Sequence, residues 1–238
     1  MKHCRLLCIF LILLLCLASV SCSTSRAEAE SSVDVEDLTE TDAAYALEYA
    51  LTTALIDSGQ QLIQYIKTHS LIPQSYAVLE ENRNTIPGLN SLLESWDEEF
   101  SSYLVQAFET VLESVDTVSS GIRFDDPFSF VRESDTSASD YFLELHGSSI
   151  LTYIYSVTAQ ADYSTLEKAR NQYNIYIRTS NFVYGKTDAE LAENNNADEF
   201  RTLFYNTFIQ LLRNNERLFR TTPDPYLDPR VKAVFGNN

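Results

Sequence analysis

Four thiols occur in this 238-residue chain, at Cys4, Cys8, Cys16 and Cys22, and none follows. The body of the protein is therefore expected to hold no disulfide and to use no thiol nucleophile. Only Cys22, at the polar exit of an apolar run, is placed for covalent chemistry. Histidine is almost as sparse. Beyond His3 there are His69 and His146, in separate segments. No His-Glu-x-x-His or calcium-loop spacing accompanies them, so neither a metal nor a cofactor is expected. Gly185-Lys186-Thr187 has the ending of a phosphate-binding loop, but Ser180 stands where the leading glycine belongs. No strand precedes it, and a plain turn is the better reading. His146 and Ser148 lie two apart on an expected helix and so point in different directions. The carboxylate runs Asp97-Glu98-Glu99 and Asp125-Asp126 could serve acid–base chemistry. Placement at helix starts explains them more simply, because anions complement the helix dipole there. Glu216 and Arg220 are the more interesting polar residues. At i,i+4 they read first as an ion pair that pins the C-terminal segment, and second as a binding site.

The elements that carry these residues begin with an export segment. Lys2 and Arg5 precede an apolar run, Leu6 to Val20, and Ser21-Cys22-Ser23 turns polar at once. A basic start, a short apolar core and a small-residue exit define a secretory signal. The run is shorter than the roughly 20 apolar residues of a spanning helix. Its Ala18-Ser-Val-Ser-Cys22 ending resembles the bacterial lipoprotein signal, in which the cysteine becomes the lipidated first residue. Ser19 stands where that signal usually has Leu or Val, so ordinary secretion after small-residue cleavage, or an uncleaved anchor, is the alternative reading. Ser23, in place of the aspartate that marks inner-membrane retention in many enterobacteria, favours the outer membrane. The expected organisation is a signal peptide over 1–21, a flexible tether over 22–38 rich in Ser, Ala, Glu and Asp, and a helical domain over 39–238.

Composition bounds the domain. Apolar residues make up 45% of the chain, enough for a core, and the net charge is −17. So acidic a surface repels nucleic acid and anionic lipid headgroups. Only six glycines and six prolines, with long stretches lacking both, favour helices. The expected fold is all-α, a single helical bundle.

Thr39-Glu-Thr-Asp42 forms a capping-box start for a helix to about Lys67, with Gly59 as its expected kink. After the break at Ile86-Pro87-Gly88-Leu89, a helix from Leu89 to about Val118 carries Trp96, Phe100, Tyr103, Leu104 and Leu112 at three–four spacing. Asp125-Asp126-Pro127 opens a short helix by cap and proline. Ser137 to about Thr158 is apolar nearly all round, with Phe142, Tyr153 and Tyr155, and is expected at the centre of the bundle. Its Gly147-Ser148-Ser149 is expected to let a neighbour approach closely. Ser164-Thr-Leu-Glu167 reads as a capping box for a helix to about Ile177. A polar loop over 181–198 precedes a helix with Phe200, Phe204, Phe208, Leu211 and Leu212 on one face. Pro223, Pro225 and Pro229 then break the backbone. Asp228-Pro229 opens a last short helix, whose Val234 and Phe235 are expected to dock back as a lid.

Glu216, Arg220, Pro223 and Val234-Phe235-Gly236 stand in an order and spacing similar to the ending of the bacterial envelope family named domain of unknown function 4197. Asp126 and Ala138-Ser139-Asp140-Tyr141-Phe142 resemble its central segments. Ile86 to Leu89 and Trp96 to Phe100 sit where the family has a loop and a helix opening with Asp-Glu. The resemblance spans about Thr39 to Gly236. It differs where Leu104 and Val105 replace an Asn-Arg pair, where Ser134 replaces a glycine, and where Val157 replaces a proline. It implies an exported all-helical domain with no established activity.

The expected function follows from address and architecture. It is a non-catalytic envelope lipoprotein, held to a membrane through lipidated Cys22, whose domain binds or scaffolds an envelope protein. A lipid or small hydrophobic ligand carried in a cavity lined by Tyr103, Phe142, Tyr153 and Tyr155 is the second reading. An enzyme of unrecognised type is the third.

Overall fold

The computed structural model describes residues 38–222 and 228–236. Cys22, the export segment, almost all of the tether, Pro223 and Pro225 lie outside the described residues. The described residues are all-α, a helical bundle with no strand. In chain order the helices are α1 (Glu40–Thr68), α2 (Ala77–Glu81, after a 3-10 turn Gln74–Tyr76), α3 (Leu89–Leu112), α4 (Val115–Ser119), α5 (Pro127–Glu133), α6 (Ser137–Gln160), α7 (Ser164–Tyr184), α8 (Asn196–Thr221) and α9 (Pro229–Phe235).

Local chemistry explains most boundaries. Thr39 and Asp42 exchange bonds: Thr39 Oγ1 accepts from the Asp42 N–H at 3.2 Å, and Asp42 Oδ2 accepts from the Thr39 N–H at 3.1 Å. That reciprocal box satisfies two otherwise orphaned donors. Asp126 caps α5 by accepting from the Ser129 N–H, and Asp228 caps α9 by accepting from the Arg230 N–H, each followed by proline. Proline at that position has no N–H to leave unpaired. Gly185, at φ +65°, ends α7 in the left-handed conformation that glycine reaches without strain.

At Gly59 helix α1 continues unbroken, and the missing Cβ makes room for the Leu112 side chain. Three expectations concerning helix bounds and caps need correction. The long helix from Leu89 ends at Leu112, and α4 is a separate short turn. The Ser164 box does not form: Tyr163 is the cap residue, and Asp162 takes the Ser164 N–H at 2.9 Å. α7 runs on to Tyr184, well past the expected end near Ile177.

The chain divides into two compact units, and α1, α6 and α8 contribute to both. Of the described residues, the first comprises those up to Ile56, Glu113–Phe142 and those from Leu212 onward. In it α1 buries an alanine–leucine stripe that includes Ala43, Ala46, Leu47, Ala50 and Leu51. Phe124, Phe130 and Tyr141 pack as an aromatic cluster. The second unit comprises Asp57–Leu112 and Leu143–Leu211. Its core is set by Leu89, Leu93, Trp96, Phe100, Leu104 and Phe108 along one face of α3, joined by Phe200 and Phe204 of α8. Trp96 is fully buried and stacks on Phe100 at 4.5 Å, while its indole N–H donates to the Leu71 carbonyl at 2.8 Å. A buried indole needs such a partner.

α6 is not the fully surrounded helix that its composition suggests. Leu145 and Tyr155 are exposed, together with Ser148, Ser149 and Thr152. Its close approach is at Gly147, where an added Cβ would stand 2.9 Å from the Tyr205 hydroxyl.

Candidate functional site

The expected pair forms and is almost wholly buried. Glu216 is 0% exposed and Arg220 4%, with Arg220 Nη2 to Glu216 Oε1 at 2.5 Å one helical turn apart on α8. Glu216 reaches across to the start of α6. Its Oε1 accepts from the Ala138 N–H at 3.1 Å, and its Oε2 accepts from the Ser139 N–H at 2.7 Å. The carboxylate therefore caps a helix whose sequence lies far from its own, and it sits at the positive end of that helix dipole. Arg220 gathers the preceding turn. It donates to the Ser134 carbonyl at 2.8 Å, to the Phe130 carbonyl at 3.4 Å and to Ser137 Oγ at 3.0 Å. Ser137 Oγ in turn donates to the Phe130 carbonyl. The Phe235 ring covers the guanidinium at 5.1 Å, and Phe235 is buried. Val231, Val234 and Phe235 of α9 are all buried, so the terminal helix docks in this unit as expected.

Opposing influences act on Glu216. Burial pushes its carboxyl above the ordinary range, while the Arg220 guanidinium and the Ser139 and Ala138 donors pull it down; burial prevails. Arg220 Nε is buried without a partner. An arrangement with these bonds turned inward clamps α5, the start of α6, the end of α8 and α9 together. Asp126, grouped with the pair in the sequence reading, is an exposed cap on α5 and makes its bond locally.

The four aromatic residues are held by separate local contacts. Tyr103, partly exposed, donates its hydroxyl to the Val157 carbonyl at 3.1 Å, and Tyr153 donates to the Ala107 carbonyl at 2.9 Å. These bonds join α3 and α6. Burial pushes the Tyr153 phenol up to about 12 and raises Tyr103 as well. Tyr155 is exposed beneath the Arg201 guanidinium, 5.3 Å from its ring. Phe142 is buried and belongs to the other compact unit.

An open groove of about 550 Å³ lies on α1 and α3, lined among others by Lys67, His69, Asp97, Glu98, Gln106 and Glu109. None of the four aromatics lines it. Asp97 is occupied structurally: it accepts from the Leu71 N–H at 2.7 Å and from the Ser70 hydroxyl. Glu99 accepts from the Thr165 hydroxyl at 2.9 Å. These carboxylates lie two turns inside α3 rather than at its start, so tertiary bonds and not the dipole account for them. His69 stacks on Tyr65 at 4.1 Å, and burial lowers the pKa of His146. Among the described residues no three His, Cys, Asp or Glu side chains group to hold a metal ion. Gly185-Lys186-Thr187 is the turn that ends α7.

Two features escaped the sequence reading. Asn174 pairs with the loop after α7 as a strand would, accepting from the Leu191 N–H at 2.8 Å and donating to its carbonyl at 2.9 Å. Phe182, Val183 and Tyr184, assigned to that loop, are instead the exposed last turn of α7. Their signal was the continuation of the Tyr173–Ile177–Ser180 buried line beyond Ile177. Comparison with protein-family models, with curated proteins and with solved structures finds no match to this chain.

Proposed function

We propose that this protein is an exported lipoprotein of a bacterial cell envelope, held by acyl chains on Cys22, whose helical body acts by binding or scaffolding another envelope component. The observation that carries this reading is Cys22 itself. It follows a basic start and an apolar run, and no cysteine occurs after it. Among the described residues no helix is long and apolar enough to cross a membrane. One acyl chain holds weakly and several hold firmly, at about 0.8 kcal/mol per buried CH₂.

The non-catalytic reading is supported by Glu216 and Arg220, the most deeply buried ion pair among the described residues, whose bonds are spent on joining helices. The similarity of Glu216 and Arg220 to the ending of domain of unknown function 4197 is read in the same way, as a shared structural clamp. Metabolic labelling with an acyl-chain analogue is expected to mark the native chain and to miss Cys22→Ala. Crosslinking from membranes, with that variant as control, is expected to recover a specific envelope protein. A native chain that takes no label and leaves the membrane fraction would refute the anchor.

A further inference from the structure

The exposed side of α7 carries Lys168 and Arg178, with Lys186 just past its end. From Lys168 to Thr187 there are four basic residues and no acidic one, in a protein of net charge −17, and of the four only Arg170 is buried, paired with Glu167 and Glu193. Lys168, Ile175 and Phe182 are spaced seven apart and all exposed, which puts them on one line of the helix, with Arg178 and Thr179 between. Ile175 is 62% exposed, Phe182 91% and Tyr184 74%. The segment is well tied. Gly185 N–H closes on the Asn181 carbonyl at 2.9 Å, and the Asn181 side chain donates to the Asp188 carbonyl at 2.8 Å. A firmly held helix end thus presents two aromatic rings and two aliphatic side chains to water, with Lys186 just beyond. Exposed apolar groups in such a cluster mark a contact surface.

We propose that the exposed line of α7 rests lengthwise on a phospholipid bilayer. Ile175 and Phe182 enter the boundary between headgroups and acyl chains, and Lys168 and Lys186 meet lipid phosphates. An aromatic ring with lysines along one side of a helix suits that boundary. Arg178 already engages Glu190 at 3.0 Å, so the two lysines carry the phosphate contacts. Charge also sets orientation: an acidic surface is repelled by headgroups, and this acid-free stretch is the part that approaches. The inference rests on the anchored reading. From Cys22 to Asp37 are sixteen residues, whose extended reach is at most about 55 Å. Anchored chains therefore meet the surface at high effective concentration.

The test uses the full anchored chain in vesicles of phosphatidylethanolamine and phosphatidylglycerol with brominated acyl chains. Trp96 is the chain's one tryptophan and is fully buried, so Phe182→Trp adds a reporter at the contact. Bromine is expected to quench the added emission roughly twofold or more, as for a ring at the acyl boundary. Trp96 emission should stay constant, which also shows that the variant folds. Lys168→Glu with Lys186→Glu should abolish the quenching. No quenching overturns the contact, whether or not the chain floats with the vesicles. Quenching that survives both lysine reversals overturns the phosphate assignment. Flotation of the same samples reads the anchor separately: quenched chains that fail to float would leave the contact standing and remove the anchor.

Discussion

Glu216 and Ser139 are joined by a 2.7 Å bond across 77 positions of sequence, carboxylate to backbone N–H, with neither residue exposed. Losing either half of the charged pair at this point leaves an uncompensated charge in the interior. Glu216→Ala and Arg220→Ala are each expected to cost about 3–5 kcal/mol in urea denaturation. Glu216→Ala combined with Arg220→Ala should lose clearly less than the two single losses added together, because no lone charge remains. Strict additivity would show that the two side chains do not depend on each other.

The loop after α7 hangs on Asn174. Asn174→Ala removes the partner of both Leu191 backbone groups, at about 1–2 kcal/mol. Most of that loss should be local. Trypsin cleavage after Lys186 is expected to quicken roughly tenfold, with the global unfolding midpoint changed much less. Unchanged cleavage would mean that other contacts hold the loop.

Two glycines are fixed by backbone conformation. Gly88 has φ +80° and Gly185 φ +65°. Alanine at either should cost about 1–2 kcal/mol for the left-handed conformation. Gly88→Ala should cost more, because its Cβ would also press the Gln172 amide, 3.1 Å away, which bonds to the Pro87 carbonyl. Space around Gly185 is open, so Gly185→Asn should recover part of the loss. Equal losses at the two sites would refute the steric part.

Stability should fall at both ends of the pH scale for different reasons. The Arg230 side chain holds the Asp228 carboxyl below its ordinary value, and the Thr39 hydroxyl and N–H do the same for Asp42. Their contribution is present above the unfolded value near 3.9 and is lost as pH falls through the lower folded values. Tyr153 has the opposite sign. Its folded pKa of about 12 lies above the unfolded value near 10, so its contribution is whole below pH 10 and is lost as pH rises through about 12. Urea midpoints across pH should show Tyr153→Phe flattening the alkaline arm alone and Asp228→Asn the acid arm alone. A change in the other arm would refute the assignment.

Caps and stripes were legible because their physics is local. Thr39 with Asp42, Asp126 with Pro127, and Asp228 with Pro229 each satisfy a donor within a few residues, and all three formed as read. The spacing of Glu216 and Arg220 likewise announced their pairing. What that pair holds was not legible, since Ala138 and Phe130 are brought to it only by the fold. Ser164 misled because Asp162, two residues earlier, competes for the same N–H. α6 misled because apolar composition counts residues and not neighbours, so Leu145 and Tyr155 remain exposed.

The first compact unit is woven from three stretches of chain that leave the ribosome at very different times. Tyr49 meets Phe219, and Tyr45 lies under Arg230, so α1 waits on α8 and α9. Until α8 has been translated the first turn of α6 lacks its carboxylate, and until α9 follows the Tyr45 ring lacks its guanidinium. Such late-closing topology folds slowly and leaves sticky surface open to holding chaperones during synthesis.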